Sequence, residues 1–407
     1  MDQLVITKAK ELLEKTDGKI CKHCFGRKLS PLMREENDNV KIAENVLEAL
    51  QTDLGSDECV VCGNIFEKVD DYLFGRVYNK IDHLGVEFDV FMVGTTIPKE
   101  IKERDDELSN ELDLNSEPIK KELNRIISDE LSKTLGKTVN SLKQDIVVNV
   151  DIRKKPKVRL QLNPIYIEGK YNKLIRGIPQ TKWPCSKCKG KGCEACNGTG
   201  KQYPESVEEL LSEKILEATR GYEAKFHGAG REDIDVLMLG SGRPFVLEIK
   251  EPRIRKIDLE KLEKEINQAN KGKTQYHNLK FTEKNRKGEI KQSSPDTFKV
   301  YKALVKCSGA FDEKKLEELS KLDEINQQTP IRVLRRRADK IRLKHVKNVE
   351  TNIIDDTTFE MIVKTEGGLY IKELISGDEG RTHPNVGEIL GVDAVCKQLD
   401  VLEVSEK

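Results

Sequence analysis

Residues Phe226 to Arg253, FHGAGREDIDVLMLGSGRPFVLEIKEPR, crowd carboxylates and cations between glycines. Gly228 and Gly230 free the backbone around Arg231 and Asp233 for a tight loop. Such a loop presents a carboxylate at a strand edge, where an active site can use it. Two apolar-alternating runs, Ile234–Leu239 and Pro244–Ile249, flank Gly240-Ser241-Gly242, which predicts a β-hairpin. Two carboxylates compete for the chemistry. Asp235, with Glu248 and Lys250 on the next strand, satisfies a D…ExK pattern. There two carboxylates hold Mg²⁺ and a lysine helps activate water, as in a metal-dependent nuclease. Asp233, on the loop ahead of the strand, is the other candidate.

Eight of the 10 cysteines fall in CxxC pairs. Cys21/Cys24 and Cys59/Cys62 are separated by a helix-forming stretch. Cys185/Cys188 and Cys193/Cys196 are interleaved with Gly190, Gly192, Gly198 and Gly200. Each CxxC turn points two sulfurs at one ion, so each set of four fits a tetrahedral zinc site. With every position a thiolate, neither keeps an open position for a metal-bound water, and both read as structural zinc. The glycine-rich set resembles half of the zinc domain of J-protein chaperones. His23 and His227 are expected to be solvated, and Cys307 and Cys396 to be packing residues.

A chain of 407 residues is too long for one ordinary core. Its 71 Lys+Arg balance 71 Asp+Glu, so only local charge can say anything about partners. No apolar run reaches the ~18–20 residues of a membrane span. The start, MDQLVITKAKELLEK, reads as an amphipathic helix, so a soluble cytoplasmic protein without disulfides is expected. The region to about Val77 is helical; Gly75 to Val93 reads as a short alternating strand and then a buried one. Pro98 to Leu142 has helical periodicity. Asp145 to Leu162 reads as two strands joined by a basic tip of Arg153, Lys154, Lys155, Lys157 and Arg159, a solvated turn or a phosphate contact. Tyr166 to Trp183 mixes Lys/Arg with Tyr166, Tyr171 and Trp183, the composition of a nucleic-acid groove. Val207–Ala218 is an amphipathic helix, Asp258 to Asp296 a polar stretch read as binding loops, and Val386–Leu390 a late capping helix. The run Arg332, Arg335, Arg336, Arg337, Lys340, Arg342, Lys344 reads as a phosphate track on one face of an element.

Three segments decide between the carboxylates. Gly230-Arg231-Glu232-Asp233 resembles the nucleophile motif of pseudouridine synthases. Lys299-Val-Tyr301-Lys-Ala303-Leu-Val305 with Gly309 resembles the K-x-Y-x-A-x-V-x-x-x-G strand of the bacterial uridine-55 enzymes. Gly368-Leu369-Tyr370-Ile371-Lys372-Glu373-Leu374 resembles their G-x-Y-I-R-x-L element, with Lys372 in place of Arg. Together with the first four-Cys set, YNKLIRGIPQTKWPC, Gln328-Thr329-Pro330-Ile-Arg332-Val and GGLYIKELISGDEGRTHP, the chain resembles the archaeal tRNA pseudouridine-54/55 synthase family from end to end. The resemblance implies an α+β protein. Residues 1–165 would form a zinc-stapled THUMP-type RNA-binding domain. Residues 166–407 would form a pseudouridine-synthase domain of mixed, mainly antiparallel sheet, with the CxxC insertion at 185–196.

The same resemblance implies isomerisation of uridine 54, 55 or both in the TΨC loop of tRNA, with zinc only structural and no cofactor in catalysis. Asp233 would be the nucleophile or assist glycal formation, and Lys372 would hold it ionised. Tyr301 would stack on the flipped uracil and help remove a proton. Tyr370, Arg231 and Arg176 would contact the substrate, while Arg381 and Thr382 would hold phosphate or a loop. Asp235, Glu248 and Lys250 would then border the pocket as structural polar residues. A Mg²⁺ nuclease and a non-catalytic tRNA-binding or chaperone-like protein are the rival readings.

Overall fold

A computed structural model describes residues 1–33, 36–55, 58–291 and 297–405. Residues 292–296, the end of the polar stretch named above, lie outside that set. The chain divides into two compact units, residues 1–164 with 251–255, and residues 165–250 with 256–407.

The first unit opens with helices α1 (Gln3–Lys15), α2 (Lys22–Leu29), α3 (Asn39–Leu50) and α4 (Asp71–Leu84). Asp2, Asp38 and Asp70 each cap one of them, accepting from backbone N–H groups of the first turn. Then follow β1 (Val90–Thr96), α5 (Lys99–Glu111), α6 (Ile119–Leu135), β2 (Thr138–Val139), β3 (Ile146–Asp151) and β4 (Lys157–Leu162), with sheet order β2-β1-β3-β4. The short strand expected near Val77 is part of α4. Leu73 and Val77 bury one stripe of that helix, and Gly85 ends it in the left-handed conformation, φ 56°. Beneath the first cysteine set, Arg27 and Lys28 are fully buried and converge on Asp105 at 2.7 and 2.6 Å. At the β3–β4 tip Arg153 pairs with Asp151 at 2.7 Å, and Lys155 lies 5.2 Å from the Tyr72 ring centroid.

The second unit contains β5 (Ile165–Lys173), α7 (Val207–Thr219), β6 (Glu223–Gly228), β7 (Leu237–Lys250), α8 (Leu259–Ala269), β8 (Thr274–Thr282), α9 (Arg286–Glu289) and β9 (Phe298–Cys307). It continues through α10 (Glu313–Glu318), β10 (Glu324–Gln328), β11 (Ile341–Asp355), β12 (Thr358–Glu366), α11 (Ile371–Ser376), β13 (Thr382–His383), α12 (Val386–Leu390) and β14 (Ala394–Val404). Nine strands run in the order β13-β10-β11-β12-β9-β14-β7-β5-β8, and β6 pairs with β7. All pairings are antiparallel except β14 with β7, which is parallel at Asp400↔Leu237 and Val401↔Met238. Alternation is cleanest in β12, where every second residue from Phe359 to Thr365 is buried.

The hairpin expected at Gly240–Gly242 is absent. Leu237 to Lys250 is one strand with a kink through the glycines, pairing with β14 at Leu237 and Met238 and with β5 from Met238 to Ile249. Gly240 has φ +60°, and a Cβ there would lie 1.9 Å from the Leu402 carbonyl oxygen. These glycines bring two backbones together rather than reversing one. The true hairpin is β6–β7, with the Asp233 segment in its connection.

Candidate active site

The connection from Gly228 to Val236 is clamped from several sides. Gly230 takes φ +84°, a conformation that favours glycine. Ala229 N–H donates to the Pro244 carbonyl at 2.9 Å, and Arg243 Nη1 donates to the Ala229 carbonyl at 2.9 Å. Gln180 Nε2 donates to the Gly230 carbonyl at 3.1 Å and to Tyr171 Oη at 2.7 Å. Tyr171 Oη in turn donates to Glu232, which also pairs with Arg243 at 2.9 Å, all of these fully buried. Lys173 Nζ, also buried, donates to the carbonyls of Ile178, Asp233 and Ile234 at 3.0–3.2 Å. Burial pulls the Lys173 ammonium down to about 8. Buried hydrogen-bonded charges of this kind fix a single geometry, because removing one partner strands the other.

This scaffold turns Asp233 toward two cations. Arg332 Nη1 lies 2.9 and 3.1 Å from its carboxylate oxygens, and Lys372 Nζ lies 3.3 Å away. Lys372, in the first turn of α11, is closer to Asp235, at 2.8 and 2.9 Å. Arg332 is set by Glu373, the neighbour of Lys372, at 2.6 Å. Its guanidinium also lies 5.7 Å from the ring centroid of Tyr370, which caps α11. The paired carboxylates raise the pKa of Lys372 despite the opposing effect of burial. Lys372 hydrogen-bonding holds Asp235 below the usual carboxylate range, against its partial burial.

Beside this cluster a cleft of about 450 Å³ is lined by Tyr301, Lys299, Arg231, Lys291, Arg337 and Tyr370, with Ala229, Gly230 and Gly367–Leu369 among its backbone walls. Burial raises the Tyr301 pKa, keeping its hydroxyl protonated. Above the loop, Trp183 is flanked by the guanidiniums of Arg231 and Arg336 at 5.0 and 4.9 Å, with Tyr203 edge-on at 5.6 Å.

Asp233, Tyr301, Lys372, Tyr370 and Arg231 therefore gather around one loop and cleft. Arg176 does not join them as a free cation. It donates to the carbonyls of Asp235 and Leu399 and pairs with Asp400 at 2.6 Å, anchoring the loop to β14. Nor do Tyr166 and Tyr171 form a groove, since both are buried. The D…ExK set falls apart. Asp235 precedes β7, whereas Glu248 lies near its far end. Glu248 is engaged by His227 and Lys287, and Lys250 by Glu223. His227 and His23 are partnered rather than solvated: His23 meets Glu122 at 3.0 Å and stacks on Phe66.

The basic run does not share one face. Arg332 lies in a short 3-10 turn, Arg336 and Arg337 in the bend after it, and Arg342 and Lys344 on β11. Arg381 donates to the Thr329 carbonyl and pairs with Asp339, holding that bend. Arg332 was read from sequence only as a member of the phosphate track, and Glu373, Lys173 and the Glu232–Arg243 pair were given no role of their own. The signal was faint, because β5 also carries Glu168 and Lys170 and β7 Glu248 and Lys250, so a charge within these strands does not by itself mark Lys173 or Arg243.

Each cysteine set closes on itself. In both, the four sulfurs lie within 4.8 Å of one another. Separations of 3.6 Å for Cys21–Cys62 and 3.7–3.9 Å for three pairs of the second set match the roughly 3.8 Å edge of a tetrahedron with ~2.3 Å Zn–S bonds. Gly192 N–H donates to Cys188 Sγ, and the N–H groups of Cys193 and Gly200 to Cys196 Sγ, each at 3.2 Å. Such donors favour thiolates, so the residues fit a soft divalent metal. Among the described residues no helix is long and apolar enough to cross a membrane.

Known proteins are similar to this chain over most of its length. Residues 166–405 match the family described as "Pus10, C-terminal", and residues 75–151 match "Pus10 THUMP domain, archaeal". A protein of Methanothermobacter marburgensis named "tRNA pseudouridine synthase Pus10" is 49% identical over 97% of this chain and 97% of its own. The protein of that name in Methanocaldococcus jannaschii is 49% identical over 93% of this chain and 80% of its own, and that of Pyrococcus furiosus 40% over 98% of each. A mixed helix-and-sheet protein with a THUMP region ahead of a clamped aspartate loop, this chain belongs to the Pus10 family of pseudouridine synthases.

Proposed function

We propose that the chain converts uridine to pseudouridine in the TΨC loop of tRNA, at position 54, 55 or both, with Asp233 as the reacting carboxylate. One observation carries this reading: Asp233 is gripped by Arg332 and Lys372 beside a cleft whose wall holds Tyr301. Two cations within hydrogen-bond reach fix where the carboxylate points, as attack on a bound nucleotide requires.

The isomerisation breaks N1–C1′ with the bond pair leaving on N1. Asp233 either takes C1′ as an ester or assists loss of the C2′ proton to a glycal. The freed uracil turns and C5 bonds to C1′ as the C1′–O bond to Asp233 breaks or, from the glycal, as C2′ regains its proton; the C5 proton then departs and N1 is protonated, so no redox or group-transfer cofactor is required. The target base must leave its stack to reach the cleft. Tyr301 would stack on it; being held protonated, it is suited to stacking and donating rather than to removing the C5 proton. Arg231, Tyr370 and the Arg336–Trp183–Arg231 stack offer cations and rings to the surrounding RNA. The two four-cysteine sets would hold structural zinc and supply no chemistry. A cytoplasmic setting suits both reduced thiolates and tRNA.

The test is to incubate the protein with unmodified tRNA transcript under brief EDTA exposure and map pseudouridine by carbodiimide primer extension. Modification should persist in Asp235→Asn and vanish in Asp233→Asn with RNA binding retained. Strand scission dependent on Mg²⁺, or activity surviving in Asp233→Asn, would overturn the reading.

A further inference from the structure

Lys299 and Tyr301 are two residues apart on β9 and project from the same face of the strand. Both line the cleft. Gly230 closes over the lysine so tightly that a Cβ on that glycine would lie 2.9 Å from Lys299 Nζ. Among the described residues the ammonium has neither a hydrogen bond nor an ion pair.

Its surroundings make this costly. Arg243 from β7 and Lys344 from β11 add positive charge around it. The acid nearby, Glu232, is already committed to Arg243 and Tyr171. Lys344 is spent on the Gly367 carbonyl at 2.9 Å. Burial and the Arg243 charge pull the Lys299 ammonium down to about 8. A half-buried cation without a partner is costly to the fold, so an uncompensated one in a cleft marks a place where an anion arrives.

We infer that Lys299 is a catalytic residue that donates a hydrogen bond to a carbonyl oxygen of the target uracil and stabilises the negative charge it carries once N1–C1′ has broken. This rests on the reading of the cleft given above. The departing base is anionic, its charge spread from N1 onto O2 and O4. A ring stacked on Tyr301 would present an oxygen edge to the side chain beside it on the same strand face. A phosphate is the poorer occupant, because Arg231, Lys291 and Arg337 already line the cleft with cations suited to the backbone. No proton need pass from Lys299; the charge is held until C5 bonds to C1′.

The test compares Lys299→Met, Lys299→Arg and wild type under single-turnover conditions on unmodified tRNA transcript, with tRNA affinity and thermal midpoint measured alongside. Lys299→Met should slow isomerisation by about 100-fold or more, the scale of one lost oxyanion donor. Its tRNA affinity should stay within about threefold, since the contact strengthens only after bond cleavage. Its midpoint should equal or exceed wild type, because the unpaired charge is gone. Lys299→Arg should recover part of the rate.

A wild-type rate in Lys299→Met overturns the inference. So does a rate loss abolished by saturating tRNA, which would mark a phosphate contact. A lowered midpoint in both Lys299→Met and Lys299→Gln would mark a structural lysine and overturn it equally. Activity surviving in Asp233→Asn would instead remove the underlying reading of the site.

Discussion

Asp233 draws its position from groups that its own motif does not contain. Arg332 reaches it from a turn and is itself aimed by Glu373. Arg332→Lys keeps the charge but loses the planar fork that spans both carboxylates. It should lower the single-turnover rate roughly 10- to 100-fold, as small misplacements of reacting groups do. tRNA affinity and the extent of binding should hold, and Glu373→Gln should give the same pattern; a pure KM effect would make Arg332 an RNA contact. Lys299 adds a pH signature. It faces Arg243, Glu232 and Lys344, and its pKa near 8 lies below that of a free lysine. The rate should fall as pH rises through about 8, and Lys299→Arg should flatten that limb. Stability runs the other way. The unfolded chain binds more protons than the folded one between about 8 and a lysine's usual 10.4, so this group's contribution to unfolding free energy increases with pH there. Lys173 adds a parallel rise, leaving Lys299→Met with a shallower one. Asp233, Tyr301 and Lys372 stood out in the sequence because each sits in a compact motif, and the structure brings them to one loop and cleft. Arg332 was absorbed into a run of like charges, and nothing local shows that its partner is Asp233, 99 residues away in the chain.

At the scale of elements, local periodicity read most helices and the β3–β4 pair, but it took part of α4 for a strand, the polar stretch that holds α8, β8 and α9 for loops, and a kinked strand for a turn. Gly240-Ser241-Gly242 between alternating runs is a hairpin signal only while nothing packs against it. Here Leu402 does, and Gly240 exists for that approach. Gly240→Ala meets both a positive φ and the Leu402 carbonyl. It should cost about 2–4 kcal/mol by urea denaturation, with a greater loss of activity than of RNA binding, because β14 also holds Arg176 beneath the Asp233 loop. A neutral Gly240→Ala would mean that the two strands part easily. The basic run was likewise read as one face because charge patterning carries no information about where a bend falls.

For the whole molecule, length and cysteine spacing pointed to more than one unit and to two closed thiolate sets, and the structure gathers each set within one unit. The purified chain should carry about two zinc ions by native mass spectrometry. Cys59→Ser and Cys193→Ser should each lose one, and chelation should lower the thermal midpoint. A chain free of metal yet fully stable would refute the zinc assignment. Strand order in the second unit was not legible, since the order of strands in a sheet is set by pairings between distant segments.

The parallel pairing of β14 with β7 has a consequence in time. The strand that follows the Asp233 loop acquires one of its flanking neighbours, and Arg176 its acidic partner, only when residues 394–404 have left the ribosome. Until then the reactive segment has been synthesised without its support. A nascent chain stalled at residue 390 should therefore be inert toward tRNA, and competence would arrive abruptly with the last described strand rather than accumulate during synthesis.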